Sequence, residues 1–554
     1  MKVWLQDFSI LVVSLVAMTA SAQDFVERFD DWPLDLKIGG TLGFAREPVI
    51  PSRLVELVVG EASRSVIVLT NGNSAEKVHD SFQQLDALKT VDVNSEIELE
   101  SSTRIVFWID DRKPEQIPAE TKERIEKYLS NVLRNGGSVF VCGSHAGLVG
   151  HRFISKSTDR ELRIERGMNL LPDCMLQMEF PPTHEAEESF LSNLSHHPKC
   201  VGVGLEAGTW MLLQNRKIRV VGDGFGKFLL APGTYPSARV HSIRDTVPKV
   251  KELDKNLIEF LHFRDTVPKV KELDKVLVDL TQWRREAIDR TLPLFPPKDT
   301  VQPIVKNGHL LIVGGGGLPA GLMDRFVELA GGIDNAKLVY VPCEEDDQVA
   351  EKHSTVEMWK RMGVKNATYI HTKDRNQANE DDSFLKPLVS ATGIWFGGGR
   401  QWNLADSYYG TKAHRLMKQC VERGGVIGGS SAGASIQAAY LARATPIENF
   451  QIMAPGYERG GLGFLQGVAI DQHFSQRNRF PDMTQLVKKY PQLLGIGIDE
   501  TTAIEVSKST AIVSGKGSVY FFDGLKRSED DSPSFLKLQA GDRYDLIQRS
   551  SIHE

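Results

Sequence analysis

Cysteine is scarce in this chain, and its spacing indicates no metal site. The 554 residues include five cysteines. These are Cys142, Cys174, Cys200, Cys343 and Cys420. None forms a C-x-x-C pair, and none stands at a metal-ligand spacing from histidine. We therefore expect no metal ion and no cofactor. We interpret the cysteines as mostly buried small apolar side chains, and their odd number leaves at least one thiol unpaired.

An excess of positive charge is also lacking. The chain has 66 lysine and arginine residues against 72 aspartate and glutamate residues, a net charge of -6. A polyanion-binding surface usually needs the opposite balance, so we expect no nucleic acid as a partner. Hydrophobic residues at 41% and charged residues at 25% are ordinary for a globular protein of two or three domains. Composition leaves a monomer and a homodimer open.

Long apolar runs are confined to the amino-terminal end. Lys2 is followed by an apolar run over residues 8–18 and by the small residues 20–22, before Gln23. This pattern predicts a secretory signal peptide over residues 1–22 and export to the periplasm or the cell exterior. The alternative, a membrane anchor, is disfavoured because a span needs about 20 apolar residues. We expect no membrane span in the mature chain.

A glycine-rich segment in the carboxyl-terminal half carries the strongest chemical signal. Residues 429–433 read GSSAG, a G-x-S-x-G pattern centred on Ser431. The apolar pair Val426 and Ile427 predicts a strand before it, and apolar residues over 434–441 predict a helix after it. Glycines suit a sharp strand-to-helix turn that exposes one hydroxyl, and the helix amino terminus favours a developing anion. The segment predicts a serine nucleophile.

The surrounding pattern alternates between strands and helices. Apolar strands are predicted at 309–313, 337–341, 367–370 and 393–396, with helical periodicity between them. Such alternation indicates an α/β fold whose mainly parallel sheet has helices on both faces. Ligands bind at the carboxyl ends of such strands, where the glycine runs 314–317 and 397–399 and the Ser431 turn all lie.

A serine hydroxyl needs an adjacent base, itself held by a third group. His473 follows the apolar strand 468–470, and Asp499 and Glu500 follow the apolar segment 495–498. Taken singly, His473 fits a buried core histidine and the two carboxylates fit a solvated pair. Because all three segments end at the predicted site, we favour a triad of Ser431, His473 and Glu500. Its order along the chain differs from that of the α/β-hydrolases.

The ordered segments VGGGG, FGGGRQ, GGSSAGA, DQHFSQRNR and GIGIDE resemble the cyanophycinase family of serine peptidases, in the S51 group. The resemblance covers about residues 303–530. It implies a flavodoxin-like fold akin to class I glutamine amidotransferases. It also implies an exopeptidase that cuts β-aspartyl-arginine dipeptides from multi-L-arginyl-poly-L-aspartate by an acyl-enzyme mechanism.

The same resemblance implies roles for individual residues. Ser431 would be the nucleophile, His473 the base and Glu500 its orienting partner. The positions that match the family's substrate pocket are Gln401, Asp471, Gln472, Arg477 and Arg479. The predicted oxyanion donors are the backbone N–H groups of Ala432 and of the Gly398–Gly399 loop.

Two positions depart from the family pattern. Arg400 stands where the family usually has asparagine or aspartate, and Asp482 stands where it usually has a third arginine. An anion in place of a cation is expected to weaken a clamp on a substrate carboxylate. Three hypotheses therefore stay open: a peptidase for the arginine-decorated polyaspartate, a peptidase for another isoaspartyl or acidic peptide, and a non-catalytic peptide- or polymer-binding protein.

The amino-terminal half repeats the pattern of the carboxyl-terminal half. Segments 139–147, 169–180 and 202–206 parallel 425–433, 463–474 and 495–499. The predicted organisation is a signal peptide over 1–22, a degenerate copy over 23–240 and a catalytic copy over 303–554. A charged helical connector is predicted over 241–302, where the 12 residues RDTVPKVKELDK occur at both 244–255 and 264–275.

The amino-terminal copy is predicted to be inert. In this alignment His145 takes the place of the nucleophile, Glu179 that of the base and Ala207 that of the acid, while Lys113 replaces the pocket glutamine. No member of the triad remains. We expect the copy to shape substrate access or to pack against its partner, with a separate binding role as the alternative.

Overall fold

The computed structural model describes residues 40–47, 65–71, 88–94, 103–110, 112–156, 162–245, 277–344, 349–447, 451–527 and 533–553. The chain divides into two units. The amino-terminal unit comprises Asp35–Leu294 with Pro446–Glu448, and the carboxyl-terminal unit comprises Phe295–Thr445 with Asn449–Glu554. The predicted signal peptide and nearly all of the 12-residue duplication lie outside the described residues. No helix within the described ranges has both the length and the apolar character needed to span a membrane.

The described part of the amino-terminal unit contains two sheets. Its strands are β1 (Thr41–Ala45), β2 (Ser65–Thr70), β3 (Leu88–Asp92), β4 (Thr103–Ile109), β5 (Ser138–Cys142), β6 (Gly150–Lys156), β7 (Leu162–Arg166), β8 (Leu171–Met178), β9 (Val201–Leu205), β10 (Thr209–Gln214), β11 (Lys217–Gly222), β12 (Phe225–Leu230), β13 (Arg239–Arg244) and β14 (Val278–Asp279). Its α-helices are α1 (Ala119–Arg134), α2 (His184–Ser195) and α3 (Leu280–Asp289). The sheet orders are β14-β11-β10-β1-β5-β4-β2-β3 and β13-β12-β9-β8-β6-β7.

The predicted connector over 241–302 is wrong at both of its described ends. Strand β13 pairs with β12, and β14 pairs with β11, so both belong to the sheets of the amino-terminal unit. Helix α3 buries Leu280, Trp283 and Ala287 in the core of that unit. Asp279 caps the helix by accepting from the Gln282 N–H. The sequence predicted helical structure here, but its charged composition concealed that this amphipathic helix packs in the core of the unit.

The carboxyl-terminal unit has the same plan. Its strands are β15 (Val305–Val313), β16 (Lys337–Cys343), β17 (Asn366–Tyr369), β18 (Gly393–Gly399), β19 (Val426–Ser430), β20 (Ala438–Tyr440), β21 (Leu465–Gln472), β22 (Leu494–Ile498), β23 (Thr502–Lys508), β24 (Thr510–Gly515), β25 (Val519–Arg527), β26 (Pro533–Leu538), β27 (Arg543–Asp545) and β28 (Ser550–Ile552). Its helices are α4 (Leu322–Leu329), α5 (Gly332–Asn335), α6 (Ser354–Arg361), α7 (Arg375–Glu380), α8 (Asp382–Val389), α9 (Gln401–Tyr408), α10 (Lys412–Glu422), α11 (Ala432–Ser435) and α12 (Phe480–Lys489).

The sheets of this unit confirm the predicted α/β class. Strands β17-β16-β18-β19-β15 are adjacent and parallel, and the antiparallel strands β23-β24-β27-β28 extend the same sheet. A second sheet has the order β20-β21-β22-β25-β26, with its first three strands parallel. Apolar strands buried on both faces account for the near-continuous hydrophobic runs of the sequence.

The helix predicted over 434–441 is wrong beyond its first turn. Helix α11 ends at Ser435, and Ala438–Tyr440 forms strand β20, which pairs with β21. Ala438 and Tyr440 are fully buried whereas Ala439 is partly exposed, which is the period-two burial of a strand. The small residues of this segment fit both the helical and the strand periodicity, and the pairing of β20 with β21 decides for the strand.

The two units share one strand order. Counted along each unit, the parallel strands of the larger sheet run third, second, fourth, fifth, first, and a β-hairpin extends the sheet beyond the first strand. Backbone detail repeats as well. Asn169, Asp173 and Glu179 have positive φ in and around β8, and Gly463, Gly467 and His473 have positive φ at the same intervals around β21.

Candidate active site

Ser431 lies on a sharp turn at the carboxyl end of the parallel sheet. Strand β19 ends at Ser430, and Ser431 has the strained angles φ 57° and ψ -112°. Its N–H donates to the Val313 carbonyl at 3.0 Å, which fixes the turn against β15. A Cβ on Gly429 would lie 2.3 Å from the Gly433 carbonyl oxygen, so the turn closes only around glycine. The hydroxyl is thereby held off the end of the sheet.

The three predicted triad residues form one hydrogen-bonded row. Ser431 Oγ lies 2.9 Å from His473 Nε2, and His473 Nδ1 lies 2.6 Å from Glu500 Oε1. His473 follows β21, and its N–H donates to the Gly314 carbonyl at 2.8 Å. Glu500 follows β22 by two residues. A hydroxyl, an imidazole and a carboxylate in this sequence of contacts can pass a proton from the hydroxyl to the imidazole.

The surroundings of His473 favour its neutral form. Burial is the main influence and lowers the pKa of its imidazole below the ordinary value. The hydrogen bond with Glu500 opposes that shift, while the nearby positive charge of Arg477 adds to it. A histidine that serves as a general base must be unprotonated when it acts, so a lowered pKa would leave His473 able to accept a proton over more of the neutral range.

The glycine run after β15 leaves space for the side chains of His473 and Glu500. Gly315 has φ 99°, and a Cβ there would lie 2.3 Å from His473 Cε1. Gly316 has φ 66°, and a Cβ there would lie 2.6 Å from the Glu500 Cβ. The sequence had associated this run with ligand binding in general. The structure gives these two glycines a narrower reason: a side chain at Gly315 would displace His473, and one at Gly316 would displace Glu500.

Two of the predicted oxyanion donors border Ser431. An ideal Cβ on Gly398 would lie 3.5 Å from the Ser431 Cβ, so the exposed end of β18 is beside the hydroxyl. Ala432 is the first residue of α11, where N–H groups lack partners within the helix. Gly399, with φ 144°, packs instead against Cys343, whose carbonyl oxygen a Cβ would approach to 2.5 Å.

Four of the five predicted pocket residues form a buried polar wall. Arg479 Nη1 donates to Asp471 Oδ1 at 2.7 Å and to Gln472 Oε1 at 2.7 Å. Gln401 Nε2 donates to the carbonyls of Ala442 and Arg443, each at 2.8 Å. Because these side chains are already hydrogen-bonded within the protein, they set the shape of the site. The fifth residue, Arg477, is exposed in the turn that follows His473.

Sequence reasoning missed Arg443, which completes this wall. Arg443 Nε donates to Asp471 Oδ2 at 2.8 Å, and its Nη2 donates to Asp482 Oδ2 at 2.5 Å. Asp482 therefore faces a cation supplied by the loop after β20. The two buried arginines, Arg443 and Arg479, are balanced by Asp471 and Asp482. No motif in the sequence included Arg443, because its place is set by the fold of the chain between β20 and β21.

The structure corrects the alignment of the amino-terminal elbow. Cys142 ends β5 beside the last residue of β1, as Ser430 ends β19 beside the last residue of β15. The next residue, Gly143, donates its N–H to the Ala45 carbonyl just as Ser431 does to Val313. Gly143, and not His145, therefore takes the place of the nucleophile. Matching the glycines of the two elbows had shifted the register by two residues.

The other residues that the sequence matched to the site lie in different surroundings in the amino-terminal unit. Glu179, with the same positive φ as His473, forms an ion pair with Arg46 at 3.1 Å. His145 is buried against Trp108, its Nδ1 lies 2.9 Å from the Asp110 carbonyl oxygen, and burial lowers its pKa to about 4. Lys113 precedes a short 3-10 turn, as Gln401 begins α9. Within the described part of this unit, no serine, histidine and carboxylate form a row.

The part of the chain that the structure describes shows no cluster of metal-ligating side chains. Among the residues that the structure describes, no group of three or more histidine, cysteine, aspartate or glutamate side chains is arranged to hold a metal ion.

Comparison with known proteins identifies similar chains. The model of a family described as Peptidase family S51 matches residues 309–514. A cyanophycinase of Geminocystis herdmanii is 31% identical over 209 residues, which cover 37% of this chain and 76% of the relative. A cyanophycinase of Trichormus variabilis is 28% identical over 242 residues, covering 40% and 79%. A peptidase structure from an acI-B1 Actinobacterium matches with a TM-score of 0.32 and 23% identity, covering 44% of this chain and 98% of that one.

Proposed function

The chain belongs to peptidase family S51 and is a serine-type peptidase; from this premise we propose that it is an exported exopeptidase that hydrolyses the backbone amide bonds of an arginine-decorated polyaspartate. The proposed substrate is multi-L-arginyl-poly-L-aspartate and the proposed product is the β-aspartyl-arginine dipeptide. One observation carries the proposal: the hydrogen-bonded row of Ser431, His473 and Glu500 beside exposed backbone donors. Relatives that are 28–31% identical and named cyanophycinase support the choice of substrate class.

The proposed mechanism proceeds through an acyl-enzyme. His473 Nε2 takes the proton of Ser431 Oγ as that oxygen attacks the scissile carbonyl carbon, and Glu500 stabilises the resulting imidazolium. The N–H groups of Gly398 and Ala432 donate to the oxyanion of the tetrahedral intermediate. His473 then gives its proton to the leaving amine, and the C–N bond breaks. Water, activated by the same imidazole, hydrolyses the ester and restores Ser431.

The charges near the site suit a substrate that has both acidic and basic groups. Arg477 offers an exposed guanidinium close to His473, which can receive a substrate carboxylate. Asp482 is 41% exposed and retains acceptor capacity beside Arg443, which suits a cationic group. Because the family's third arginine is replaced by Asp482, a different isoaspartyl or acidic peptide is the second candidate substrate.

The test compares substrates on the full chain. Purified protein is incubated with multi-L-arginyl-poly-L-aspartate, with β-aspartyl dipeptides and with the corresponding α-aspartyl dipeptides, and products are identified by mass spectrometry. We expect β-aspartyl-arginine from the polymer and no cleavage of the β-aspartyl or α-aspartyl dipeptides, because the dipeptide product keeps its β-aspartyl bond. Cleavage of β-aspartyl dipeptides without cleavage of the polymer would favour the second substrate. Absence of cleavage of every substrate would contradict the proposed peptidase specificity.

Export and an inert amino-terminal unit complete the proposal. The pattern of residues 1–22 supports removal of a signal peptide before Gln23. Gly143 in place of a nucleophile supports a unit without hydrolytic activity of its own. Amino-terminal sequencing of protein recovered outside the cytoplasm tests the first point, and a mature chain that still begins at Met1 would contradict it.

A further inference from the structure

Asp499 holds two backbone segments together behind the triad. Its side chain is buried, with 4% of its surface exposed. Asp499 Oδ1 accepts from the Ser475 N–H at 2.9 Å, and Oδ2 accepts from the Ser518 N–H at 3.0 Å. Ser518 directly precedes β25, which pairs with β22, whereas Ser475 lies two residues after His473. One carboxylate therefore joins the sheet to the turn that bears the base.

Two other hydrogen bonds join that turn, residues 473–477, to the segment 498–500. The Phe474 N–H donates to the Ile498 carbonyl at 3.2 Å, and the Glu500 N–H donates to Gln476 Oε1 at 3.0 Å. The bond from Ser475 to Asp499 is the one that uses a buried charge as acceptor, and such bonds are shorter and stronger than neutral ones. It acts on the segment whose position sets the distance from His473 to both Ser431 and Glu500.

The amino-terminal unit supplies an internal comparison. Glu206 occupies the place of Asp499: its N–H donates to the Phe225 carbonyl, and its Oε2 accepts from the Phe225 N–H at 3.1 Å. The bond to the sheet is thus present in both units. The residue in the place of Ser475 is Pro181, which has no N–H to donate. The unit without a triad keeps the sheet bond and lacks the bond to the turn.

We propose that Asp499 is a positioning residue, whose hydrogen bond from the Ser475 N–H holds the base-bearing turn so that His473 reaches Ser431 and Glu500 at once. The inference rests on the proposed peptidase mechanism. Asp499 touches none of the reacting atoms in this role. This role explains why a second carboxylate, Asp499, precedes Glu500. From the sequence alone the two carboxylates fitted a solvated pair.

The test replaces Asp499 by asparagine and uses Glu206→Gln as the matched control. Asparagine keeps the volume of the side chain but presents an N–H₂ to one of the two backbone donors. Because small misplacement of a catalytic group is costly, we expect Asp499→Asn to lower kcat about 100-fold and to change KM less than about twofold. Glu206→Gln should leave kcat and KM unchanged, with a similar decrease in Tm. An equal effect of the two variants on kcat would overturn the inference.

A spectroscopic measurement keeps this test separate from the choice of substrate. The proton between His473 Nδ1 and Glu500 Oε1, which are 2.6 Å apart, should give a far-downfield proton NMR signal in the full chain. We expect the signal in the wild type and in Glu206→Gln, and its loss in Asp499→Asn. A retained signal in Asp499→Asn would refute the positioning role. If the wild type shows the signal but cleaves no peptide, the proposed function fails while this inference is still decided.

Discussion

Residues with unusual backbone angles mark the site. Ser431, His473 and Thr501 are not glycines, yet their φ angles are 57°, 48° and 53°. Such conformations cost about 1–3 kcal/mol each and persist where the surrounding structure enforces them. Here the enforcing contacts are backbone bonds from all three residues to the loop and strand at Val313, Gly314 and Gly315. The strain therefore accompanies the alignment of Ser431, His473 and Glu500.

Replacement of Gly315 by alanine should disable the base without unfolding the unit. The new methyl group would lie 2.3 Å from His473 Cε1, so the imidazole must move away from Ser431. Gly541→Ala is the matched control, because Gly541 has nearly the same φ, 97° against 99°, and no atom within 4 Å of its Cβ position. We expect at least a 100-fold loss of kcat/KM in Gly315→Ala and near-normal activity in the control. Comparable activities of the two variants would contradict this role of Gly315.

The pH dependence should reflect the environment of His473. Activity requires the neutral imidazole, so kcat/KM rises with pH through the pKa of His473 and then levels off. Because burial lowers that pKa, the midpoint of this rise should lie below the ordinary histidine value of about 6.5. Arg477→Ala removes a cation that contributes to the lowering and should move the midpoint upward. A wild-type midpoint above 7, or a downward shift in the variant, would be inconsistent with this environment.

Strands were easier to predict than the elements between them. Each predicted strand of the parallel sheet lies where the structure has one, because a buried strand needs a continuous apolar run. The helix predicted after Ser431 was wrong because alanine-rich segments satisfy both helical and strand periodicity. The positions of Asp471 and Gln472 followed from a motif, but their burial behind Arg479 and Arg443 did not, because side-chain partners from distant segments leave no local pattern.

Helix α3 provides a test of the corrected connector. Trp283 is buried against Phe228, with ring centroids 5.6 Å apart, and Arg239 stacks on its ring. Truncation of a buried tryptophan costs about 3–5 kcal/mol, so Trp283→Ala should lower the unfolding free energy of the amino-terminal unit by that amount. The exposed Leu294, at 39%, provides the control variant Leu294→Ala. Equal denaturation midpoints for Trp283→Ala and the wild type would contradict the packing of α3 in this unit and favour the predicted connector.

At the scale of the whole molecule, the two units share one strand order. Among the described residues, a row of serine, histidine and glutamate occurs only in the carboxyl-terminal unit. The amino-terminal unit retains the turn after β5 and the left-handed residue after β8, but it places Gly143 and Glu179 where Ser431 and His473 stand. Sequence comparison detected the repeat but matched the wrong residue to the nucleophile. Only the strand register and the hydrogen bond of Gly143 to Ala45 define the equivalent position.

Restoration of a serine alone should not create a second active site. In a chain with Ser431→Ala, the further change Gly143→Ser supplies a hydroxyl in the amino-terminal unit but leaves Glu179 and Ala207 in place of base and acid. We expect no peptide hydrolysis above the Ser431→Ala background, measured by product release over long incubations. Triad-type hydrolysis by the double variant would show that the amino-terminal unit is not inert.

The central claim is that Ser431 forms the acyl-enzyme, and trapping that ester tests it most directly. Protein is mixed with multi-L-arginyl-poly-L-aspartate, quenched in acid during turnover and digested for mass spectrometry. We predict an ester-linked adduct of β-aspartyl-arginine units on the peptide that contains Ser431, and neither adduct nor product in Ser431→Ala, which should still fold and bind the polymer. Undiminished hydrolysis by Ser431→Ala, or an adduct on another residue, would contradict the assignment.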